Sequence, residues 1–240
     1  MKIELIGKLI KEDEILTLFY TAAKTCVSEI EPKQIYEKNV SIETKKNLIS
    51  RVINAGHLSI LEHFTMTFSL YGVSRSLLAQ LTRHRVGIAY SVMSQRYVRT
   101  NFDKLEDLKE NFVIPSTISR NKEAIQIFEK ALYEVSKTYS SLLEKGIPAE
   151  DARFILPNAM KTNLVFSVNF RELMHICSIR LCAGSAQWEI YELFSKIKEI
   201  ITKISPFLGN FLQPQCYRLQ YCPESSERCC GLFVTKNSKE

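Results

Sequence analysis

The stretch "LTRHRVGIAYSVMSQRYVR", Leu81 to Arg99, constrains the fold of this chain more than any other. It sets Arg83, His84 and Arg85 side by side and follows them with Arg96 and Arg99. The flanks "SLYGVSRSLLAQL" and "AYSVM" read as buried. A cation taken out of water is costly unless an anion pairs with it. Asp103 and Glu106 are the nearest acids downstream. The fold must therefore bring distant acids here, leave the cluster as a surface patch, or offer it to a ligand carrying phosphate or another anion. Arginine suits the last role, because its planar fork makes two parallel charge-assisted bonds. His84 sits between two fixed positive charges, which makes a further proton costly. It is expected to act as a neutral donor or acceptor.

Composition narrows the choices. The 240 residues, 45% of them hydrophobic, suffice for one large domain or two small ones. Lys and Arg number 32 against 26 acids, a mild excess that allows an anionic partner without requiring nucleic acid. No apolar run approaches the roughly 20 residues that cross a bilayer. "MKIELIGKLIKEDE" turns acidic too early for a signal peptide. The expectation is a cytosolic chain, with its 7 cysteines mostly free thiols.

Periodicity predicts an α+β chain. "KIELIG", "HFTMTFSLYGV" and "TNLVFSVNF" alternate as strands do. "EDEILTLFYTAAKTC" carries acids in its first turn, and "SIETKKNLISRVINAG" runs from a Ser41 cap to Gly56. "SRSLLAQLTRHR" reads as a helix opened by Ser74, and "FVIPS" as an extended piece ending at Pro115. The clearest helix lies in "NKEAIQIFEKALYEVSKTYSSLLEKG", striped by Ala124, Phe128, Leu132, Val135, Tyr139 and Leu142. Pro148 suits the first position of a helix over "PAEDARFIL". "RELMHICSIRLC" and "AQWEIYELFSKIKEIITKI" are helical, the second striped by Ile190, Phe194, Ile197, Ile201 and Ile204. Residues 1–206 read as a single α/β domain. Residues 207–240 read as an irregular tail holding Cys216, Cys222, Cys229 and Cys230.

Several chemistries lack their motif. There is no Gly-rich phosphate loop, no G-x-G-x-x-G and no G-x-S-x-G. "GHLSILEH" supplies His57, Glu62 and His63, but not at the H-E-x-x-H spacing of zinc peptidases, so hydrogen-bonding roles are expected. Cys26, Cys177 and Cys182 read as packing residues of apolar helices. The tail cysteines lack a tight C-x-x-C pair, and whether they hold a metal stays open. Arg171 and Arg180 are nine residues apart on one helix and so point to opposite sides.

Three blocks, in order, carry a family resemblance: "LISRVINAGHLSILEHFTMTFSLYGVSRSLLAQLTRHR", "YSVMSQRYV", and "GIPAEDARFILPNA" through "NFRELMH" to "AQWEIYELF". With "RHR" followed by "SQRY", the chain resembles the flavin-dependent thymidylate synthases. The resemblance implies a central mixed or antiparallel sheet flanked by long helices, in a homotetramer with shared active sites. It implies FAD and NADPH as cofactors, and dUMP and 5,10-methylenetetrahydrofolate as substrates converted to dTMP and tetrahydrofolate. It matches Gln80, Arg83, Met93, Ser94, Gln95, Arg96, Arg153 and Arg180 to nucleotide positions, with Arg180 catalytic. It matches His57, Ser59, Arg83, His84, Arg85, Val86, Asn169, Arg171, His175 and Ile179 to flavin positions. No metal is implied at the site. On this reading the arginines are paired with phosphates and electron-rich rings, not with acids.

The chain departs from the family pattern at two places. One extra residue lies between Arg85 and Ser94, where the usual first Ser is missing, and "LCAGS" adds length after Arg180. The expected accommodation is a bulge begun at Gly87. The alternatives are a flavin- or nucleotide-binding relative without methyl transfer and, remotely, a nucleic-acid binder using Arg83, Arg85, Arg96, Arg99 and Lys104.

Overall fold

A computed structural model describes residues 1–7, 11–100, 102 and 107–235. Asp103, Lys104 and Glu106, weighed above beside the basic cluster, lie outside the described residues. The strands are β1 (Lys2–Ile6), β2 (Thr65–Ser74), β3 (Ile88–Val92) and β4 (Lys161–Asn169), in sheet order β1-β2-β4-β3. The principal helices are α1 (Glu12–Thr25), α2 (Ile42–Asn54), α3 (Arg75–Leu81), α4 (Lys122–Glu144), α5 (Phe170–Arg180) and α6 (Trp188–Ile204). The class is α+β.

Register follows from paired contacts. Thr67 meets Ser167 at 2.8 Å, and Gly72 N donates to Asn163 Oδ1 at 3.0 Å. Met93 N donates to Asn163 O, and Asn169 N to Gly87 O, each at 2.9 Å. As one partner's number rises the other's falls, so β2, β4 and β3 run antiparallel. On β4, Thr162, Leu164, Phe166 and Val168 are buried, as the alternation requires.

The chain divides into two compact units, and the division falls within the strands. The first comprises Met1–Lys2, Ser69–Arg83 and Tyr90–Val165. Its core packs Leu108, Phe112, Leu132 and Met160, with Phe102 stacked on Phe112 at 5.6 Å. α4 starts at an Asn121 cap that accepts from the Glu123 and Ala124 amides. The second unit comprises Ile3–Phe68, His84–Ala89 and Phe166–Glu240. Within it α1 packs on α2, and Phe19 meets both Phe64 and Phe170, at 6.2 and 6.0 Å.

Three local expectations are corrected. α3 ends at Leu81, so Arg83, His84 and Arg85 follow the helix instead of closing it; Thr82 turns its hydroxyl back onto Leu78 O. Pro148 is the N-cap, not the first helical residue, of a single turn at Ala149–Ala152. The tail contains short helices at Pro206–Gly209 and Gln215–Leu219.

Candidate functional site

The second unit builds one group around the start and end of α5. Asn169 caps this helix, its side chain accepting from Glu172 N at 2.8 Å. Gly87, at φ +65°, lies against that cap; a Cβ there would overlap the Asn169 amide. The sequence therefore needs glycine at 87 for two reasons, backbone conformation and close approach. This contact holds the loop carrying His84, Arg85 and Val86 against α5.

His84 is buried, with only 8% of it exposed. Arg180 Nε donates to its Nε2 at 3.2 Å, and its Nδ1 lies 3.5 Å from Glu172 Oε1. Arg180 can only donate, so Nε2 carries no proton and the ring proton sits on Nδ1, facing Glu172. This is the neutral state expected from the sequence. Burial raises the Glu172 carboxyl above its usual range, while nearby His175 pulls it down. Glu172 and His175, with His84, offer three donor atoms within 4.8 Å of one another, a spacing open to a metal ion. Both nitrogens of His84 are already engaged, one by a cation, so the geometry serves a hydrogen-bonded relay that orients Arg180.

The other flavin positions of this unit are exposed. His57 and Ser59 lie at the turn Leu58–His63, and Arg171 pairs with Glu62 of the same turn. Arg85, Val86, His175 and Ile179 are also open to solvent, Val86 at 79%. Exposed apolar side chains beside exposed cations suit a large, partly aromatic, phosphorylated ligand.

The first unit holds the second group. Gln80, Met93, Ser94, Gln95 and Arg153 are half-buried, whereas Arg83 and Arg96 are exposed. Ser94 Oγ accepts from Arg96 N at 3.2 Å. Arg96 pairs with Glu150 at 2.7 Å, and Arg153 Nε donates to Glu150 O at 3.0 Å. Arg96 and Arg171 thus have carboxylate partners, which corrects the expectation that the arginines are not paired with acids. Acids 54 and 109 residues away are brought in by the fold.

Arg75 escaped the sequence reading. It follows the Ser74 cap and looked like an ordinary first-turn residue of α3. It donates from Nη2 to Met93 O at 2.9 Å, but its Nε is buried with no hydrogen-bond partner among the described residues. Burial pushes its guanidinium below the usual value, and Arg153 adds to the effect. Two neighbouring guanidiniums, one with an unused buried donor, make a place for an anion. Glu172 and Glu150 were also missed. Their roles depend on partners remote in the chain.

Comparison with known proteins places these groups in context. The profile of the family described as "Thymidylate synthase complementing protein" matches residues 8–207. A flavin-dependent thymidylate synthase of Pyrococcus abyssi is 43% identical over 202 residues, covering 82% of this chain and 80% of that protein. One from Geobacter sulfurreducens is 35% identical over 208 residues, covering 87% and 86%. Among solved structures, a Helicobacter pylori flavin-dependent thymidylate synthase complexed with FAD and dUMP aligns with a TM-score of 0.68 at 26% identity, covering 89% of this chain and all of that one.

Proposed function

Because this chain belongs to the flavin-dependent thymidylate synthases, we propose that it catalyses the reductive methylation of dUMP to dTMP. In this reading 5,10-methylenetetrahydrofolate is the one-carbon donor, FAD the flavin and NADPH the reductant, and a homotetramer shares the active sites. The observation that carries the reading is the Arg75–Arg153 pair, whose unused buried donor calls for an anion such as the dUMP phosphate. Gln80, Arg83, Met93, Ser94, Gln95 and Arg96 complete the nucleotide set. The solvent-open cations and apolar side chains of the second unit fit FAD: His57, Ser59, Arg85, Val86, Asn169, Arg171, His175 and Ile179, with Arg83 and His84. When bound, the flavin supplies the redox chemistry.

The chain's own residues do the rest. Arg180 holds a fixed positive charge where negative charge gathers on the uracil ring as carbon 5 becomes nucleophilic. His84, held in one tautomer by Glu172, keeps that guanidinium aimed before the substrate arrives. The protein is a scaffold of donors, not of nucleophiles. Burial drives the Cys177 thiol far above its usual range, so it stays protonated.

The test is incubation of purified protein with FAD, NADPH, methylenetetrahydrofolate and dUMP, followed by product chromatography. dTMP is the expected product. Binding of both FAD and dUMP with no dTMP after long incubation would refute methyl transfer and leave a binding-only relative.

A further inference from the structure

We propose that Cys182, Cys216, Cys222 and Cys229 form a structural zinc site that ties the C-terminal tail to the end of α5. All four lie in the second unit. The family profile stops at residue 207, so the match does not reach the tail cysteines.

The first argument is convergence. Cys182, expected to pack inside an apolar helix, instead follows the end of α5 and is half-buried. With Cys216, Cys222 and Cys230 it lines one cavity of about 660 Å³. Cys229 lies near enough to Cys222 to act on its ionisation, while its own thiol donates to Phe233 O at 3.2 Å. Cys182 also lies near enough to both Cys216 and Cys222 to act on their ionisation. Gly184 fixes the approach from the other side, since a Cβ there would overlap the Arg228 carbonyl and crowd Cys230 N. Two distant parts of the chain thus meet backbone to backbone where their cysteines gather.

The second argument is what the tail lacks. From residue 213 to 235 the only buried residues are Cys216 and Cys222. Two thiols are no hydrophobic core, and small irregular lobes without one are generally held by disulfides or a metal. The tail is nonetheless ordered by specific bonds. Cys222 N donates to Val234 O at 2.8 Å, Cys229 N to Ser225 O at 3.0 Å, and Gly231 N to Cys229 Sγ at 3.4 Å. An amide aimed at sulfur favours the thiolate, the form that ligates metal. Cys229 is chosen over its exposed neighbour Cys230 because it is half-buried, accepts from that amide and lies near Cys222.

Four thiolates select a soft or borderline cation, and tetrahedral zinc is the redox-inert one among them. Among the described residues no three of these sulfurs lie within 4.8 Å of one another. Thiolates about 2.3 Å from zinc stand roughly 3.8 Å apart. Binding therefore contracts the cluster as the thiols lose their protons.

The test uses full-length protein purified reduced and without chelator. Zinc and iron are measured by elemental mass spectrometry, and thiols are titrated before and after denaturation with a chelator releases the metal. The expected result is about one zinc per chain, with four thiols protected until release. Cys216→Ser and Cys222→Ser should each lose at least about tenfold in zinc occupancy, while Cys26→Ser, just after α1, keeps it. If the serine variants do not fold, the wild-type metal content and thiol count still decide. Reduced protein that takes up no zinc when titrated with it would overturn the proposal. So would iron in place of zinc, or an intact mass short of two hydrogens per disulfide bridge. None of these readouts depends on turnover, so they stand or fall apart from the proposed reaction.

Discussion

Arg75 shows how a single side chain can carry a burial cost that an anion would offset. Its guanidinium is held near Arg153 with a buried donor unused. Arg75→Ala should weaken dUMP binding by about 10- to 100-fold, the range of a lost charge-assisted hydrogen bond, and leave flavin affinity unchanged. Titration with dUMP against FAD-loaded protein measures it. Glu172 behaves in the opposite sense. Burial raises its folded-state pKa, so folding favours the protonated acid. That contribution is complete below the unfolded-state pKa and is lost as pH rises through the higher folded value. At neutral pH the ionised carboxylate is therefore a cost to stability. Glu172→Gln should melt higher than wild type at pH 7–8, by a margin that closes toward acid pH. Glu172→Ala removes the acceptor that fixes His84. At roughly 0.5–1.5 kcal/mol for one hydrogen bond, turnover should fall about 3- to 10-fold, and glutamine should restore most of it. A residue serving only the fold would not raise the melting point when replaced and lower turnover when truncated.

At the scale of elements, the junction between Gly87 and the α5 cap is the sensitive point. Gly87→Ala forces a positive φ on a residue with a Cβ and displaces the capping Asn169. Together these cost about 2–3 kcal/mol. At about 2–4 °C per kcal/mol for a chain of this size, the melting temperature should fall by roughly 5–10 °C by calorimetry. What could be read from sequence was what local rules decide. α4 was legible from its stripe. The strands at Thr65–Ser74 and Lys161–Asn169 were legible from alternation. α3 was read too long because arginine and histidine are compatible with helix, whereas its end is set by Thr82 folding back. Arg75 and Glu172 were invisible for a different reason. Neither residue type nor spacing marks them; their roles come from Met93, Arg153 and His84, which only the folded chain supplies. The arginine cluster stood out as positive charge within apolar sequence, but the fold leaves Arg83, Arg85, Arg96 and Arg99 exposed.

At the scale of the whole molecule, the site residues sort by unit. Of the residues matched to nucleotide positions, Gln80, Arg83, Met93, Ser94, Gln95, Arg96 and Arg153 belong to the first and Arg180 to the second, which also holds nine of the ten residues matched to flavin positions. The RHR segment is divided between them, Arg83 ending a stretch of one unit and His84 starting a stretch of the other. The proposed function includes a homotetramer that shares its active sites. Light scattering should give a mass four times the 27.6 kDa chain, and a monomer at working concentration would contradict the tetramer.

α5 carries a further consequence. Arg171 and Arg180 stand on one uninterrupted helix, so their backbones are held about 13.5 Å apart along its axis. Nine steps of about 100° also set them half a revolution out of phase. The helix is thus a ruler with an angular setting as well as a length. Substitutions at its exposed positions leave that setting intact, whereas a change in its residue count does not. Inserting a single alanine after Leu173 would lengthen the rod by only about 1.5 Å while swinging Arg180 by about 100°, away from His84. Turnover should vanish in such a variant even though Asn169 still caps the helix and Arg171 still meets Glu62. Activity near that of the parent would mean that the spacing is not what the site measures.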